Sequence, residues 1–307
     1  MDGAGSIVVV GSMNIDMVAY CDRFPEDGET LVGSSYAQGF GGKGANQAVM
    51  AARLGATTRF VGCVGDDDLG RATIDNLDES GIDVSGIGVL AGHGTGVAPI
   101  WVNRDGTNRI LIIPGANDAL TPDHVTSHLA GLDRAAVVVG QLETPQDATL
   151  AAFEWARSHG ATKVLNPAPA ADLDDRLLAA TDWLIPNETE FALLTGDAPT
   201  EAAVERWAQE WGCGFVVTLG ADGVIVADGS NAPWREAARQ VRVVDTTGAG
   251  DAFVGGFAAG LAAGMLIRGC VSLGGACGSL STTRQGTQSS YPDRAEVADL
   301  GVSVPVW

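Results

Sequence analysis

The sequence has little positive charge. Its 307 residues contain 18 lysines and arginines against 38 aspartates and glutamates, so the formal net charge is −20. Nucleic acids and anionic membrane surfaces are polyanions, and this balance argues against both as partners. It does not exclude a nucleotide, because a few local cations and a metal ion can offset the repulsion. Lysine occurs only as Lys43 and Lys163, and Lys43 lies inside a glycine-rich segment.

The sequence also lacks the features of a secreted or membrane protein. Its five cysteines form no Cys-x-x-Cys pair, and we expect them to be reduced thiols, as in cytosolic proteins. The first residues include no basic region, and the apolar run Ile7–Val10 is too short for a signal-peptide core. No apolar run approaches the roughly 20 residues of a membrane span. We therefore expect a cytoplasmic protein without a membrane partner.

Short apolar runs alternate with helical patterns almost throughout the chain. The runs that predict buried strands are Ile7–Val10, Arg59–Val64, Ala136–Val139, Lys163–Leu165, Trp183–Ile185, Phe215–Thr218 and Val241–Val244. The patterns that predict helices are Ala45–Leu54, Leu69–Ser80, Pro145–His159, Glu201–Trp211 and Asp251–Ala263. The alternation predicts an α/β fold, a doubly wound and mainly parallel sheet with helices on both faces. No composition shift marks a linker, so we expect a single domain over residues 1–307.

Two stretches depart from this alternation. Gly96–Val102 and Arg109–Ile113 flank Asp105-Gly106, and this dipeptide between two strand-like runs is a hairpin signal. Both faces of these strands are apolar, and an isolated hairpin would not bury both. We therefore expect a small β-sheet lid, formed by about residues 14–37 and 96–113, that covers a ligand and pairs with a second copy of the chain. The alternative is a surface hairpin packed on its own domain.

The strongest chemical motif is Asp245-Thr246-Thr247-Gly248-Ala249-Gly250-Asp251, which opens an apolar helix. Its glycines let the backbone approach a phosphate, and the free N–H groups of a helix start bind an anion. Asp251 falls in the first helical turn. A carboxylate there can accept the proton of a hydroxyl that attacks a γ-phosphoryl group. The alternative is an aspartate that only caps the helix.

Two other segments offer groups for binding hydroxyls. Gly39–Asn46 opens a helix but is not a Walker A loop, because the G-x-x-x-x-G-K-[ST] spacing is absent. Its glycines expose backbone donors, and Lys43 and Asn46 can hydrogen-bond hydroxyls. Asn14 and Asp16 follow the first strand and share one side of an extended segment, which suits neighbouring sugar hydroxyls. The alternatives are a loop with a solvated lysine and an ordinary strand end.

Two segments later in the chain suit a nucleotide and its metal. Asn187-Glu188-Thr189-Glu190 follows a predicted strand and can orient magnesium and its waters, although an ordinary helix cap would have the same pattern. Thr218–Gly223 links two strands by a glycine turn, which would permit close approach to a nucleotide. The alternative is a simple turn with no ligand.

Together these segments resemble the ribokinase family of carbohydrate kinases, from about Ser6 to Pro292. The most specific matches are Gly41–Ala48 and Asp245–Asp251, and Asn166–Ala170 and Pro186–Glu190 match in order. The resemblance implies transfer of the γ-phosphoryl group of ATP to the 5-hydroxyl of D-ribose, assisted by magnesium, with Asp251 as the catalytic base. From the apolar faces of the lid strands we also expect a homodimer formed through the lid.

The resemblance further implies which residues form each site. The sugar site would comprise Ser12, Met13, Asn14, Asp16, Gly41, Gly42, Lys43, Asn46, Glu143 and Asp251. ATP would be bound by Asn187, Thr218, Leu219, Gly220, Ala221, Asp222, Gly223, Gly248, Ala249 and Gly250. Glu190 would place water bound to magnesium. A monovalent cation, usually potassium, would lie at Asp245, Thr247, Ser281, Arg284, Gly286 and Ser290, several through backbone carbonyls. Gly275 stands where ribokinases often have a larger residue near the adenine.

The charge of the motifs bears on the substrate. Lys43 is the only cation in the sugar motifs, whereas a phosphorylated sugar would need several, so we expect a neutral polyol unless the fold brings in Arg104 or Arg109. Two alternatives remain open. One is another kinase of the family, acting on a nucleoside, fructose or a ketodeoxy sugar acid. The other is a non-catalytic sugar or nucleotide sensor, against which the intact Asp251 and magnesium motif argue.

Overall fold

A computed structural model describes residues 5–229 and 231–307 of the chain. Its strands are β1 (Ser6–Val10), β2 (Asn14–Tyr20), β3 (Ser35–Gly41), β4 (Thr57–Gly65), β5 (Asp83–Leu90), β6 (Gly96–Val102), β7 (Asn108–Ile110), β8 (Val137–Gly140), β9 (Thr162–Leu165), β10 (Trp183–Leu184), β11 (Gly214–Thr218), β12 (Val224–Ala227) and β13 (Trp234–Glu236). Its helices are α1 (Lys43–Arg53), α2 (Asp68–Glu79), α3 (Pro122–Leu129), α4 (Gln146–His159), α5 (Asp175–Ala179), α6 (Glu188–Thr195), α7 (Glu201–Trp211), α8 (Ala249–Ala262), α9 (Ile267–Ser281) and α10 (Arg294–Asp299).

The larger sheet has the strand order β13-β12-β11-β10-β9-β8-β1-β4-β5 within the described residues. The strands from β11 to β5 in this order pair in parallel, and β12 and β13 are antiparallel at one edge. One face packs α1, α8 and α9 around Phe60 and Phe257, and the other packs α3, α4 and α7 around Phe153 and Phe215. The predicted doubly wound α/β fold is therefore confirmed. None of the described helices combines the length and apolar character needed to span a bilayer.

A smaller sheet of order β3-β2-β6-β7 stands apart from the larger one. β2 pairs antiparallel with β3 and parallel with β6, and β6 pairs antiparallel with β7. Asp16 of β2 lies opposite Ala98 of β6, and both line a cavity between the two sheets. The small sheet that the hairpin signal predicted is present, and one of its faces covers a cavity.

One strand prediction is wrong. Residues 241–244 are not in a strand, and Val243 and Val244 are 59% and 53% exposed. The backbone N–H groups of Val244 and Asp245 both donate to the carbonyl oxygen of Thr282 at the end of α9, rather than to a neighbouring strand. Branched apolar residues are typical of strands, but here Val243 lines the wall of a cleft.

Candidate active site

Asp251 lies in the first turn of α8. Gly248 occupies the N-cap position in the left-handed region, with φ 74°, and makes no side-chain cap. The carboxylate of Asp251 is buried and accepts two hydrogen bonds from the start of α1. Asn46 Nδ2 donates to Asp251 Oδ2 at 2.9 Å, and Gln47 Nε2 donates to Oδ1 at 3.1 Å. The side chain is therefore held between two helices instead of capping its own.

A cavity of about 480 Å³ lies beside Asp251. Its polar wall contains Asn14, Asp16, Gly42, Lys43, Asn46, Glu143 and Asp251. Its ceiling, from the small sheet and the residues that follow β7, contains Ala98, Ile100, Ile110 and Ile112. The structure thus brings together seven of the ten residues expected at the sugar site, and we call this space the sugar cavity.

The other three residues expected there are not part of the wall. Ser12 and Met13 are fully buried, and the Met13 side chain belongs to the core beneath the larger sheet. Ser12 Oγ donates to Glu143 Oε2 at 2.6 Å. Glu143 Oε2 also accepts a hydrogen bond from the backbone N–H of Lys43 at 3.0 Å. Ser12 therefore holds Glu143 in place at the start of α1.

Gly41, the third of these, makes room for a wall residue. A Cβ atom at Gly41 would lie 2.7 Å from Cγ of Asp16, so any larger residue would displace the Asp16 side chain. Gly42 has φ 88°, and a Cβ there would lie 2.7 Å from the backbone nitrogen of Asn14. The segment Gly41–Gly42 and the segment after β1 therefore pack closely against each other. Neither sequence motif on its own indicates this contact.

The sugar cavity is acidic around a single cation. Burial opposes the charge of Lys43, but Asp251, Glu143 and Glu190 outweigh it, and the lysine pKa is raised. Burial and the nearby Glu143 raise the pKa of Asp16 from 3.8 to about 6, against a hydrogen bond from Thr287. A phosphorylated substrate would meet repulsive carboxylates here, and a neutral polyol would not.

The two arginines that could have changed this balance lie elsewhere. Arg104 pairs with Asp22 at 2.8 Å, and both side chains are largely exposed. The Arg109 guanidinium lies 4.3 Å from the ring centroid of Phe24. Neither arginine lines the sugar cavity.

A second cavity of about 570 Å³ lies on the other side of Gly250. The expected nucleotide-binding residues that line it are Asn187, Thr218, Gly220, Ala221, Gly223, Ala249 and Gly250. Gly248 lines the sugar cavity instead, and Leu219 and Asp222 line neither. We call this space the nucleotide cleft. Asn187 lines both cavities, so the two are adjacent.

Sequence reasoning missed much of the nucleotide cleft. Residues that line it without having been predicted include Ala237, Arg239, Gln240, Val241, Val243, Val271 and Ser279. Arg239 is half-buried, and its Nη2 donates to Ser272 Oγ of α9 at 3.1 Å. The one available signal was the apolar run at residues 241–244, which resembles a strand.

Asn187 and Glu190 form a capping box at the start of α6. The Glu190 backbone N–H donates to Asn187 Oδ1 and the Asn187 backbone N–H donates to Glu190 Oε2, both at 2.8 Å. Glu190 also lines the sugar cavity, and burial raises its pKa against the opposing effects of Asn187 and Lys43. These oxygen donors are of the kind magnesium prefers, and a cation would stabilise the charged carboxylate.

The residues expected at a monovalent cation lie on two segments that meet. Asp245 Oδ1 accepts from the backbone N–H and the hydroxyl of Thr247, at 2.9 and 2.7 Å, and Oδ2 accepts from the Gly286 N–H at 3.0 Å. Burial opposes the charge of Asp245, but these hydrogen bonds outweigh it and lower its pKa. An anionic carboxylate is an oxygen ligand of the kind that suits a hard cation.

The remaining residues of that set contribute differently. The hydroxyls of Ser281 and Ser290 donate to the carbonyls of Gly278 and Thr287, each at 2.8 Å. The Arg284 guanidinium pairs with Glu296. A guanidinium has no free lone pair for a cation, so Arg284 can contribute only its backbone carbonyl.

Known proteins share this architecture over nearly the whole chain. Residues 4–294 match the pfkB family of carbohydrate kinases. The chain is 37% identical over 303 residues to the ribokinase of Haemophilus influenzae, covering 96% of this chain and 98% of that protein. It is also 37% identical over 293 residues to the deoxyribokinase of Salmonella typhi, covering 93% and 95%.

A solved structure gives the same result. The ribokinase of Arabidopsis thaliana, complexed with ribose and ATP, superposes with a TM-score of 0.88 and 30% identity, covering 97% of this chain and 98% of that one. Both the family match and the identities extend over more than nine-tenths of the chain. The chain therefore belongs to the pfkB family of carbohydrate kinases.

Proposed function

We propose that this protein is an ATP-dependent ribokinase that phosphorylates the 5-hydroxyl of D-ribose, with Asp251 as the general base. The observation that carries the proposal is the position of Asp251 on the wall of the sugar cavity, next to Gly250 on the wall of the nucleotide cleft. One residue step thus separates the two spaces, and a hydroxyl at this junction can reach both the base and a γ-phosphoryl group.

Four of the wall residues have a direct part in this reaction. Asn14, Asp16 and Lys43 bind the sugar hydroxyls and orient the one that reacts. Asp251 accepts its proton as the oxygen attacks. The N–H groups in the first turn of α8, together with the helix dipole, stabilise the charge that develops on the transferred group.

Two cations complete the proposal. Asn187 and Glu190 would hold magnesium through its waters, and magnesium when bound neutralises charge on the phosphates of ATP. Asp245, Thr247 and the carbonyls around Gly286 would hold potassium, whose charge would fix the loop at the start of α8. Both assignments are supported by the oxygen donors described above.

A substrate panel tests the proposal. ADP release would be measured with D-ribose, 2-deoxy-D-ribose, D-fructose, adenosine and a ketodeoxy sugar acid, each with and without potassium. We expect the highest kcat/KM with D-ribose and a further rise with potassium. The deoxyribokinase among the relatives makes 2-deoxy-D-ribose the sharpest comparison. No preference for D-ribose would refute the substrate assignment, and no turnover of any sugar would favour a sensor.

We also propose a homodimer formed through the outer face of the small sheet. Tyr36, Trp101 and Leu111 are 61%, 45% and 64% exposed there, and a contiguous apolar surface of this kind is typical of an interface. Light scattering should give twice the 31.4 kDa of one chain. Trp101→Glu should shift the mass toward one chain, and Leu266→Glu, at an exposed leucine before α9, should not. A monomeric wild type would refute this interface.

We also propose that the protein is cytoplasmic. Cys63, Cys213, Cys270 and Cys277 are buried, and burial raises the pKa of each of these thiols, which keeps them in the unreactive form. Reduced, unpaired cysteines are usual in that compartment.

A further inference from the structure

Asp251 is held by two layers of buried side-chain amides. We propose that Gln47, Gln141 and Gln288 are positioning residues for phosphoryl transfer, because they fix the orientation of the groups that hold the carboxylate of Asp251. The inference rests on the proposed function, in which Asp251 is the general base.

The inner layer comprises Asn46 and Gln47, successive residues of α1. Each donates one amide N–H to a different oxygen of Asp251, at 2.9 and 3.1 Å. All three side chains are buried. A carboxylate with one donor on each oxygen cannot rotate without losing a hydrogen bond, so its direction is fixed.

The outer layer decides which way the inner amides face. An amide can present its nitrogen or its oxygen to a neighbour, and only the nitrogen can donate to a carboxylate. Gln288 Nε2 donates to Asn46 Oδ1 at 3.0 Å, and Gln141 Nε2 donates to Gln47 Oε1 at 2.7 Å. With their oxygens occupied in this way, both inner amides must turn their nitrogens toward Asp251.

The network continues beyond these residues. Asn76 Nδ2 on α2 donates to Gln288 Oε1 at 2.9 Å, which fixes the orientation of Gln288 in turn. The second N–H of Gln47 donates to Asn166 Oδ1 at 3.0 Å, and Asn166 Nδ2 donates to the carbonyl of Ile185 at 2.8 Å. The position of Asp251 is therefore tied to α1, to α2 and to the segments that contain Gln141, Asn166, Ile185 and Gln288.

The neutrality of these groups suits a base. A lysine or arginine in their place would form an ion pair with Asp251 and make its carboxylate a weaker proton acceptor. Amides hold the carboxylate by hydrogen bonds without adding a charge. They also carry no titratable proton, so they do not compete for the one that leaves the sugar hydroxyl.

The packing of the two helices makes the contact possible. Gly255 lies one turn after Asp251 on α8, and a Cβ atom there would lie 2.6 Å from the backbone oxygen of Gln47 and 2.7 Å from Cβ of Met50. Only glycine allows α8 to approach α1 this closely. The backbone and the side chains thus independently place the amides of α1 against Asp251.

The test is a double-mutant cycle between Gln47 and Asp251. Methionine resembles glutamine in length but has no amide, so Gln47→Met removes the hydrogen bonds to Asp251, Asn166 and Gln141 with little change in volume. We expect kcat to fall at least tenfold, with KM for D-ribose and for ATP within twofold of the wild type. In an Asp251→Asn background the same change should lower kcat less than twofold, because the group through which Gln47 acts is already lost.

Further variants keep the test independent of folding. Gln141→Met and Gln288→Met should each lower kcat severalfold without changing either KM, so the inference can be tested even if Gln47→Met does not fold. Gln209→Met, at an exposed glutamine of α7, is the matched control and should leave kcat unchanged. Thermal melting would show that each variant is folded.

Three outcomes would overturn the inference. An unchanged kcat in the folded Gln47→Met and Gln141→Met variants would do so, and so would an equal loss of kcat in the wild-type and Asp251→Asn backgrounds. Both would leave the proposed function intact as long as the wild-type enzyme phosphorylates D-ribose. Absence of sugar turnover by the wild type would instead overturn the proposed function and the inference with it.

Discussion

The two cavities that meet at the start of α8 are lined by different kinds of residue. The sugar cavity is lined by carboxylates, amides and Lys43, most of them buried or half-buried. The nucleotide cleft is lined mainly by glycine, alanine and valine, and Arg239 is the only lysine or arginine among its described lining residues. We therefore expect one space to recognise its ligand through particular side chains, and the other through backbone groups and shape.

This difference determines how each space should respond to substitution. Replacing one side chain in the sugar cavity removes hydrogen bonds that nothing else supplies. In the nucleotide cleft the backbone donors survive most substitutions, so the effects should be smaller and confined to ATP. Asp251, which lies where the two spaces meet, should follow neither pattern. The following five predictions test this comparison.

Asp251→Asn should have the largest effect, because it removes the proposed general base, which lies where the two spaces meet. We expect kcat to fall by roughly 10²–10⁴, the usual contribution of such a group, with little change in either KM. Coupled ADP release with D-ribose would measure it. A kcat within about tenfold of the wild type would show that another group accepts the proton.

Asp16→Asn should act on the sugar side alone. Loss of charge-assisted hydrogen bonds to hydroxyls costs about 1.5–3 kcal/mol, so KM for D-ribose should rise roughly 10- to 100-fold while KM for ATP stays the same. Asp22→Asn is the matched control, since Asp22 also belongs to the lid region but is exposed and pairs with Arg104. Equal changes in both KM values would mean that the two spaces are not independent.

The pH dependence of sugar binding should follow Asp16. Its pKa of about 6 means that the carboxylate binds hydroxyls as an anion at pH 8 and becomes neutral as the pH falls. At pH 5, one unit below this pKa, KM for D-ribose should therefore have risen by about tenfold. The rise should be absent from the Asp16→Asn variant, and its persistence there would assign the titration to another group.

The same shift predicts the sign of a stability change. Because the folded-state pKa of Asp16 lies above the ordinary 3.8, protonation of Asp16 stabilises the fold; this stabilisation is complete below 3.8 and is lost as the pH rises through about 6. The charged carboxylate thus costs up to about 3 kcal/mol at pH 8. Asp16→Asn should accordingly raise the melting temperature at pH 8, and the gain should shrink at pH 5. A gain that did not depend on pH would contradict this account.

Arg239→Ala should have the smallest effect and only on the nucleotide side. An arginine stacked on a base or bonded to a ribose hydroxyl contributes about 0.5–1 kcal/mol at a partly exposed site, so KM for ATP should rise about two- to fivefold. KM for D-ribose should not change. The matched control is Arg235→Ala, because Arg235 is exposed and pairs with Glu201 at 2.8 Å outside the cleft. No change in KM for ATP would show that backbone and apolar groups alone bind ATP in the cleft.

The sugar cavity and the nucleotide cleft also differ in how far the sequence predicts them. Most residues that line the polar wall could be named from the sequence, because Asn14, Lys43 and Asp251 are chemically distinctive residues near glycines at the ends of strands or the starts of helices. The sheet was foreseen because its strands are short apolar runs between helices. Both signals are local in the sequence.

Other features depend on contacts that no local pattern encodes. Gln47 and Asp251 are 204 positions apart, and Gln288 and Asn46 are 242 apart, so nothing near either glutamine marks it as part of the site. Apolar residues such as Val243 are ambiguous for a different reason, since the same side chain suits a strand or the wall of a cleft. Ser12 was expected to bind sugar, but the structure shows it bonded to Glu143.

The aliphatic ceiling of the sugar cavity has a consequence for fidelity. Water competes with the sugar as an acceptor of the γ-phosphoryl group, and transfer to water would only hydrolyse ATP. Ala98, Ile100, Ile110 and Ile112 offer water no hydrogen-bond partner above the site. A sugar covers the polar wall with its hydroxyls and meets the ceiling with its carbon face, whereas water satisfies only the wall. We therefore expect the small sheet to favour phosphorylation of the sugar over loss of the phosphate to solvent.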